Sequence, residues 1–416
     1  MPISSVTIGN FKGFKETTDI AIKPITVFFG ANSSGKSSAI HALACLAQSI
    51  RASKDRRPII LDDETANVHL GRFIEVIHSK SYQDFMTLGL GIDDVNYRVP
   101  DKDFNLKGTR GNLKSQFNFK CTKRTQEIAI ERAHFSVGET SLEIIKSRSK
   151  YSLKNRKTLA SSNIERDSGF IFEAGLRSGK ITPKTFGDIF VFSDIQRLIT
   201  DELRRTYYLG PFRQPPARRY PTRGSTPREV GPLGESAITL LANEAVQSRS
   251  RSHLKQVRGW LNDLGLAKSI EVGRIGTSDL FDVAIELQDG STFPLADLGY
   301  GLSQVLPVLV QCSFASTKST LLFEQPELHL HPASAKKLSK VFIDTYKAKG
   351  VHHLIETHSP DLIKAFFRSV NSKEISKNDF VAYKVERAEG RSIIRPIEIE
   401  EDGGIYENWE SGFNCD

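Results

Sequence analysis

The sequence predicts an α/β fold in which a mixed β-sheet surrounds one helix, and three observations support this prediction. Ile25–Phe29 and Thr320–Glu324 are short runs of apolar and β-branched residues, as expected for strands covered on both faces. Lys36–Ile50 places apolar residues at helical spacing. Residues 85–204 contain short alternating stretches split by polar, glycine-containing turns, which predict a β-rich insertion.

The composition limits the class of protein. The chain has 416 residues, 39% hydrophobic and 25% charged, which is typical of a globular protein of two or three domain-sized units. No run approaches the roughly 18 apolar residues of a membrane span, and the N-terminus lacks the pattern of a signal peptide. Four scattered cysteines do not form a disulfide framework or a thiolate metal site. We therefore expect a cytoplasmic protein with no membrane partner.

The first elements follow one another closely. Ile3–Ile8 and Thr18–Ile22 read as two strands joined by a turn. The strand Ile25–Phe29 then ends at Gly30, and an amphipathic helix follows from Lys36. Downstream, a helix is predicted to begin near Ala237, and another alternating strand precedes the turn at residues 289–290.

The predicted insertion also changes the domain organisation. We expect a core formed by residues 1–84 and 205–416, interrupted by a β-rich basic insertion at residues 85–204. The formal charge of the chain is +8 and its pI is near 9.1, which favours encounters with polyanions such as nucleic acid. The basic insertion is equally compatible with a nucleic-acid-binding face and with an ordinary solvated surface.

The strongest motif lies between the first buried strand and its helix. Gly30–Ser37 matches the phosphate-binding P-loop, G-x-x-x-x-G-K-[ST]. Its glycines allow the backbone N–H groups to point inward, which forms an anion nest at a helix N-terminus. Lys36 is expected to reach the terminal phosphates of ATP, and Ser37 to bind Mg²⁺. The candidate nucleotide-binding residues here are Gly30, Asn32, Ser33, Ser34, Gly35, Lys36, Ser37 and Ser38.

A second motif supplies a carboxylate. Thr320–Glu324 has the form of a Walker B strand, whose final Glu324 is expected to hold Mg²⁺ through its water shell. Ser37 and Glu324 are therefore the candidate metal residues. His329 and His331 lie two positions apart and could suggest zinc, but no matching cysteine or histidine set accompanies them.

Two weaker motifs follow the expected order. Asp297–Gln304 is a glycine-rich turn that opens a helix, which is again a site for an anion, with Gly299, Gly301 and Ser303 as candidates. An apolar strand ends near Ile355 and places His358 at its carboxyl end, where sites in α/β proteins gather.

A stretch rich in proline and arginine, Arg213–Arg223, follows Leu209–Phe212. Its prolines stiffen the chain while its arginines project from it. The stretch is compatible with a phosphate clamp, and a surface loop is the simpler interpretation.

The order of these motifs and the residues in them resemble those of ABC-type ATPases of the overcoming-lysogenization-defect, RecF and SMC kind. These proteins are broadly classed as AAA family ATPases. The segments that carry the resemblance are Asn10–Phe14, Gly30–Ser37, Asp297–Gln304, Glu324–Pro332 and Thr357–Pro360. Leu209–Arg213 and residues 397–413 look like one standalone branch of that group. The insertion at 85–204 contributes no motif to this resemblance.

The resemblance implies an SMC/RecF-like P-loop fold and a head-to-tail ATP sandwich. Lys36, Ser37 and Glu324 of one copy are expected to bind the nucleotide, and the Gly299–Gly301 turn of a second copy to cover its γ-phosphate. His358 is expected to sense that phosphate. The implied partner is therefore another copy of the chain, in a homodimer or a higher homo-oligomer.

Two departures from the family pattern concern hydrolysis. Family members often carry an acidic residue after the Walker B carboxylate, whereas this chain has Gln325, which orients water but accepts no proton at neutral pH. Either Glu327 or His358 compensates, or hydrolysis is slow. Gly299 also stands where a serine is usual. Both departures favour a switch over a fast motor.

The resemblance implies a switch that regulates an effector protein, such as a nuclease or a toxin, in bacterial anti-phage defence. Overcoming-lysogenization-defect nucleases carry a Toprim nuclease module after the ATPase, and we expect none here because the segment after His358 is short. The alternatives are a DNA-binding ATPase of repair or recombination and a scaffold whose ATPase is vestigial.

Overall fold

The computed structural model describes residues 2–52, 57–64, 66–101, 105–148, 150–155, 161–166, 169–173, 183–221, 226–276 and 278–399. The strands are β1 (Ile3–Gly9), β2 (Thr18–Ala21), β3 (Ile25–Phe29), β4 (Met86–Pro100), β5 (Leu106–Cys121), β6 (Ile128–Val137), β7 (Thr140–Ser147), β8 (Lys150–Asn155), β9 (Ser161–Arg166), β10 (Phe172–Glu173), β11 (Thr206–Leu209), β12 (Tyr220–Pro221), β13 (Ser269–Arg274), β14 (Leu280–Glu286), β15 (Thr292–Pro294), β16 (Thr320–Glu324), β17 (His352–Glu356), β18 (Phe380–Ala388) and β19 (Arg391–Pro396). The helices are α1 (Lys36–Arg51), α2 (Phe73–Val76), α3 (Pro183–Arg204), α4 (Ala237–Gln247), α5 (Ser252–Asp263), α6 (Tyr300–Phe314), α7 (Pro332–Lys349) and α8 (Pro360–Asn371).

The chain forms two compact units. The first contains Met1–Ile22, Ser33–Thr206 and Glu386–Ile393, and the second contains Lys23–Asn32, Tyr207–Val385 and Ile394–Asp416. The predicted tail at residues 397–413 lies outside the described residues from position 400 onward.

The first unit is built on a nine-stranded sheet in the order β10-β9-β8-β7-β6-β5-β4-β1-β2. β1 pairs antiparallel with both β2 and β4, so the strands that follow residue 85 continue the sheet that begins at the N-terminus. A cluster of buried rings fills its core, with Phe117 at 5.5 Å from Phe135 and 4.6 Å from Phe170 between centroids. The domain boundary proposed for residues 85–204 stays a prediction.

The predicted β-rich segment ends in a helix, which the sequence analysis did not anticipate. Helix α3 has 22 residues. Its residues Phe192, Ile195, Ile199 and Leu203 are each fully buried and follow the spacing of one helical face. That spacing is visible in the sequence, but it follows a long region that alternates as strands do, which favours a strand interpretation.

The second unit contains β3, β16 and β17 and most of β11 and β18, from a six-stranded sheet in the order β11-β16-β17-β3-β18-β19. β16, β17, β3 and β18 are parallel neighbours, and every residue of β3 and β16 is buried. The bounds predicted for these two strands are confirmed. A small sheet of β12, β14 and β13, with β15 paired to β14, completes the unit.

The expected α/β P-loop fold with a β-rich segment is thereby confirmed. The amphipathic helix predicted to follow the P-loop is α1, and it begins at Lys36. In the part of the chain that the structure describes, no helix combines the length and the apolar content that a bilayer crossing requires.

His353 is a buried titratable group in the core of the second unit. Its side chain is fully buried, with its ring centroid 5.1 Å from that of Phe342. Burial lowers the pKa of His353 from 6.5 to about 3. The imidazole is therefore neutral in the folded protein at neutral and mildly acidic pH.

We predict that His353 makes the fold acid-sensitive. Below pH 6.5 His353 binds a proton in the unfolded chain but not in the folded chain. As the pH falls, this group therefore lowers the free energy of unfolding by about 1.4 kcal/mol per pH unit, until the pH nears the folded-state pKa. His353→Phe should reduce this slope, measured by denaturant unfolding between pH 7 and 5. An unchanged slope would contradict the prediction. Phe342→Leu, which alters the same core without removing a titratable group, serves as the control.

Candidate functional site

Three parallel strands of the second unit end at the same edge of the sheet. Glu324 of β16 lies opposite Glu356 of β17, and Glu356 lies opposite Phe28 of β3. Just beyond the strand ends, the Gln325 N–H donates to the Glu356 carbonyl at 2.8 Å, and the Thr357 N–H donates to the Phe28 carbonyl at 3.0 Å. The parallel register therefore brings together the start of the P-loop, the Walker B carboxylate and the loop that carries His358.

The P-loop has the backbone of an anion-binding loop. Gly30 and Gly35 adopt positive φ of 143° and 107°, and Ser33 adopts 59°. A Cβ on Gly30 would lie 2.1 Å from the Val385 carbonyl oxygen, so only glycine fits there. Gly35 forms the N-cap of α1 without any side-chain capping bond.

The residues that follow suit a phosphate ligand. The first turn of α1 contains no acidic residue, and the Ser34 hydroxyl is buried without a hydrogen-bond partner among the described residues. Lys36 is buried at the first position of the helix, at the positive end of its dipole, where an anion is stabilised. Ser37 is half-buried and Asn32 is exposed. These residues fit the nucleotide that the sequence predicts.

Ser392 of β19 is a P-loop contact that the sequence analysis missed. Its hydroxyl donates to the Ser34 carbonyl at 2.5 Å, and its N–H donates to the Gly13 carbonyl at 2.7 Å. Cβ atoms built on Gly13 and Gly35 would lie 2.0 and 2.3 Å from the same hydroxyl oxygen. Ser392 therefore fills the space that two glycines leave. No sequence signal marks it, because it lies 358 positions after Ser34.

At the end of β16, the side chain of Glu324 is buried and fixed. The Tyr208 hydroxyl donates to its Oε1 at 2.8 Å. Burial and the nearby carboxylate of Glu324 raise the pKa of Tyr208, which keeps the phenol protonated. The Arg213 Nη2 donates to the carbonyl oxygens of Glu324 and Gln325 at 2.9 and 3.1 Å. The Walker B end is therefore fixed by two residues from one upstream segment.

The position of Arg213 overturns the surface-loop interpretation for the start of its segment. Arg213 is 4% exposed, so it is a buried residue of the site. Arg218, further along, is exposed and its guanidinium forms two bonds, of 2.6 and 3.1 Å, with the Asp297 carboxylate. Residues 222–225, which include Arg223, lie outside the described residues.

Glu327 is tied to the loop that carries His358. Its Oε1 accepts from the Thr357 hydroxyl at 2.6 Å and from the His358 N–H at 3.1 Å. Its Oε2 is buried and has no hydrogen-bond partner in the described part of the chain. Burial raises the pKa of Glu327, against the opposing hydrogen bond from Thr357. These contacts make Glu327 a support for the His358 loop.

The second glycine turn begins helix α6. Gly299 is the N-cap and is exposed, with open space where a side chain would be. A Cβ on Gly301 would lie 2.7 Å from the His329 carbonyl oxygen, so glycine is required by this close approach. The Ser303 hydroxyl is bonded within the helix to the Tyr300 carbonyl at 2.9 Å. Of the three candidates, Gly299 is thus the most accessible to a ligand.

The two histidines after Walker B have structural positions. His331 caps α7, because its Nδ1 accepts from the Ala333 N–H at 3.2 Å. His329 is exposed, adopts φ of 65°, and lies 6.2 Å from the ring of Tyr300. Among the residues that the structure describes, no group of three or more His, Cys, Asp or Glu side chains could hold a metal ion by itself.

Comparison with known families agrees with the motifs. Residues 1–171, which contain the P-loop, match the family model described as "AAA ATPase domain". Residues 202–364, which contain the glycine turn and Walker B, match the model described as "AAA domain, putative AbiEii toxin, Type IV TA system". The two matches confirm the resemblance at the level of AAA ATPase domains. No curated protein matches the chain.

Solved structures similar to this chain include SMC head domains. The SMC head domain from Thermotoga maritima is 11% identical, with 96% of this chain and 100% of that chain covered and a TM-score of 0.39. The SmcHead bound to the C-winged helix domain of ScpA is 10% identical, with 96% and 99% covered and a TM-score of 0.47. An Smc head domain with an extended coiled coil, bound to the C-terminal domain of ScpA derived from Pyrococcus furiosus, is 10% identical, with 95% and 96% covered and a TM-score of 0.45.

We predict that Ser392 and Gly13 form a compensating pair that holds the P-loop. Gly13→Ala should weaken ATP binding at least tenfold, because its methyl group would overlap the Ser392 hydroxyl. Ser392→Gly removes that oxygen and should restore part of the affinity in the double variant. Affinity is measured by titration with a fluorescent ATP analogue, and thermal melting checks that each variant folds.

Gly108→Ala is the matched control, since a Cβ there meets no atom within 4 Å. Equal affinities for Gly13→Ala with and without Ser392→Gly would contradict the proposed contact.

Proposed function

We propose that the protein is an ATP-binding and slowly ATP-hydrolysing switch that closes as a head-to-tail pair of copies and regulates an effector protein. The observation that carries the proposal is the buried Glu324, held at the strand end by Tyr208 and Arg213 on the same edge from which the P-loop departs. The AAA ATPase domain matches over both motifs support it.

The described residues suggest how the triphosphate is bound. The N-terminus of α1, which lacks competing caps and carboxylates, is suited to the β- and γ-phosphates, and Lys36 supplies a cation beside it. Ser37 and Glu324 would hold Mg²⁺, the former directly and the latter through water, and the metal would neutralise charge on the phosphate oxygens.

Slow hydrolysis follows from the groups after Glu324. Gln325 can orient a water molecule but cannot take its proton. Glu327, the next carboxylate, uses Oε1 to hold Thr357 and His358, and its Oε2 is buried. His358 would sense the γ-phosphate through the loop that Glu327 holds. ATP therefore acts mainly as a clamp in this proposal.

Self-assembly is the proposed readout. Gly299 and the 63% exposed Tyr300 stand at the N-terminus of α6, available to a second copy. Contact of one γ-phosphate with two copies makes closure depend on the nucleotide state. The AAA domain description that names the AbiEii toxin supports a role in bacterial defence, and we propose a nuclease or toxin as the effector.

The ion pairs of the first unit give less support to the DNA-binding alternative than to the switch. Five basic side chains of the β-rich segment lie within ion-pair distance of a carboxylate, which weakens the positive potential around each of them. The pairs are Lys107–Asp101, Arg110–Asp94, Lys114–Asp19, Arg132–Glu143 and Lys146–Glu131. Because phosphate binding depends on unneutralised cations, we favour the switch over a DNA-stimulated enzyme.

We predict that Lys36→Ala abolishes both ATP turnover and nucleotide-dependent assembly, because the triphosphate loses its cation. Phosphate release and crosslinking with a non-hydrolysable ATP analogue measure the two effects. Lys80→Ala, a lysine that donates to a backbone carbonyl elsewhere in the first unit, should leave both unchanged. Equal phosphate release by wild type and Lys36→Ala would remove the proposed ATPase activity.

We predict that Gln325→Glu raises the turnover rate by about 10²-fold, since a general base contributes on this scale. The rate of phosphate release at saturating ATP measures the effect, and Glu324→Gln in the same background should abolish it. A rate equal to or below that of the wild type would show that Gln325 does not limit hydrolysis.

A further inference from the structure

The segment that carries Tyr208 and Arg213 is fixed in the second unit by its own backbone. The Gly210 N–H donates to the Pro232 carbonyl at 2.9 Å, and the Gln214 N–H donates to the Leu233 carbonyl at 2.8 Å. Between these two bonds, Phe212 is 81% exposed and Arg213 is 4% exposed. Arg213 thus points inward from a segment that two backbone hydrogen bonds hold in place.

The guanidinium of Arg213 acts on the backbone that positions Gln325. Its Nη2 bonds to two successive carbonyl oxygens, those of Glu324 and Gln325. Gln325 has φ of 45°, a left-handed conformation that costs a non-glycine residue about 1 kcal/mol. Two bonds to the peptide units on either side of this residue offset that cost and fix the direction of its Cα–Cβ bond.

Arg213 keeps its positive charge although it is buried. Burial lowers the pKa of Arg213 to about 10, and the neighbouring carboxylate of Glu327 opposes that effect. The guanidinium therefore remains charged at neutral pH. Its Nε and Nη1 are buried and have no hydrogen-bond partner among the described residues, so the two bonds to the carbonyls are its chief anchors.

Arg213 also touches the helix that begins at the glycine turn. Its own carbonyl oxygen accepts from the Gln304 Nε2 at 3.4 Å. Gln304 belongs to the first turns of α6, whose Gly301 in turn meets the His329 carbonyl of the loop after Walker B. The backbone of Arg213 contacts α6, and its side chain contacts Gln325.

We propose that Arg213 is a positioning residue that sets the direction of Gln325 for the hydrolytic step and links it to the helix of the glycine turn. This inference rests on the proposed ATPase function. In this proposal the buried Arg213 acts through Gln325 and does not itself bind ATP. Its loss should therefore reduce the rate of the chemical step and leave ATP affinity nearly unchanged.

The test is a double-variant cycle on single-turnover ATP hydrolysis. Arg213→Lys keeps the charge but replaces the planar guanidinium with a compact ammonium group. The lysine therefore cannot hydrogen-bond both carbonyl oxygens with the same geometry. We expect its hydrolysis rate to fall at least tenfold, with ATP affinity within twofold of wild type. In the background of Gln325→Asn, which tolerates the left-handed backbone and moves the amide, Arg213→Lys should change the rate less than twofold.

Arg258→Lys is the matched control, because Arg258 also donates from Nη2 to a backbone carbonyl, that of Ile270 at 3.0 Å. Its rate should equal that of wild type. Equal losses from Arg213→Lys in both backgrounds, or a loss of ATP affinity as large as the loss of rate, would overturn the proposal. Failure of the wild-type protein to bind ATP would instead overturn the proposed function on which it rests.

Discussion

The parallel register of β16, β17 and β3 is the constraint on which the candidate site depends. Because Glu324, Glu356 and Phe28 lie side by side, three loops leave the sheet at one edge. The first carries Gln325, the second carries His358, and the third opens the P-loop. A slip of one residue in β16 would turn the Glu324 side chain to the other face of the sheet.

A second feature of the molecule is that several glycines allow other segments of the chain to approach closely. Gly301 lies against the His329 carbonyl, and Gly13 and Gly35 lie against the Ser392 hydroxyl. In each case a segment that is distant in sequence occupies the volume of an absent side chain. The glycines of these motifs therefore serve packing within this chain in addition to any contact with a phosphate. The presence of a glycine in a nucleotide-binding motif therefore does not show whether it is required for packing within the chain or for contact with a phosphate.

Buried charge explains why the Walker B end requires upstream residues. A buried carboxylate is costly unless it is paired or hydrogen-bonded, and Glu324 receives the Tyr208 hydroxyl. Arg213 places a cation near Glu324 and Glu327 while its bonds go to backbone carbonyls. This arrangement stabilises the charges and at the same time fixes the backbone of Gln325. One buried arginine thus contributes to electrostatics and to geometry together.

Short-range sequence patterns are sufficient to predict the local elements of this protein. The bounds of β3 and β16, the P-loop at residues 30–37 and the glycine turn at 299–301 follow from patterns that are complete within about ten residues. Helix α3 shows the limit of this approach, because its helical spacing follows a long alternating region. The contacts between these elements become visible only in the folded chain: Ser392 lies beside the P-loop, and Tyr208 and Arg213 lie at Glu324. Such contacts join residues more than 100 positions apart and are set by sheet order and packing, which no local pattern encodes.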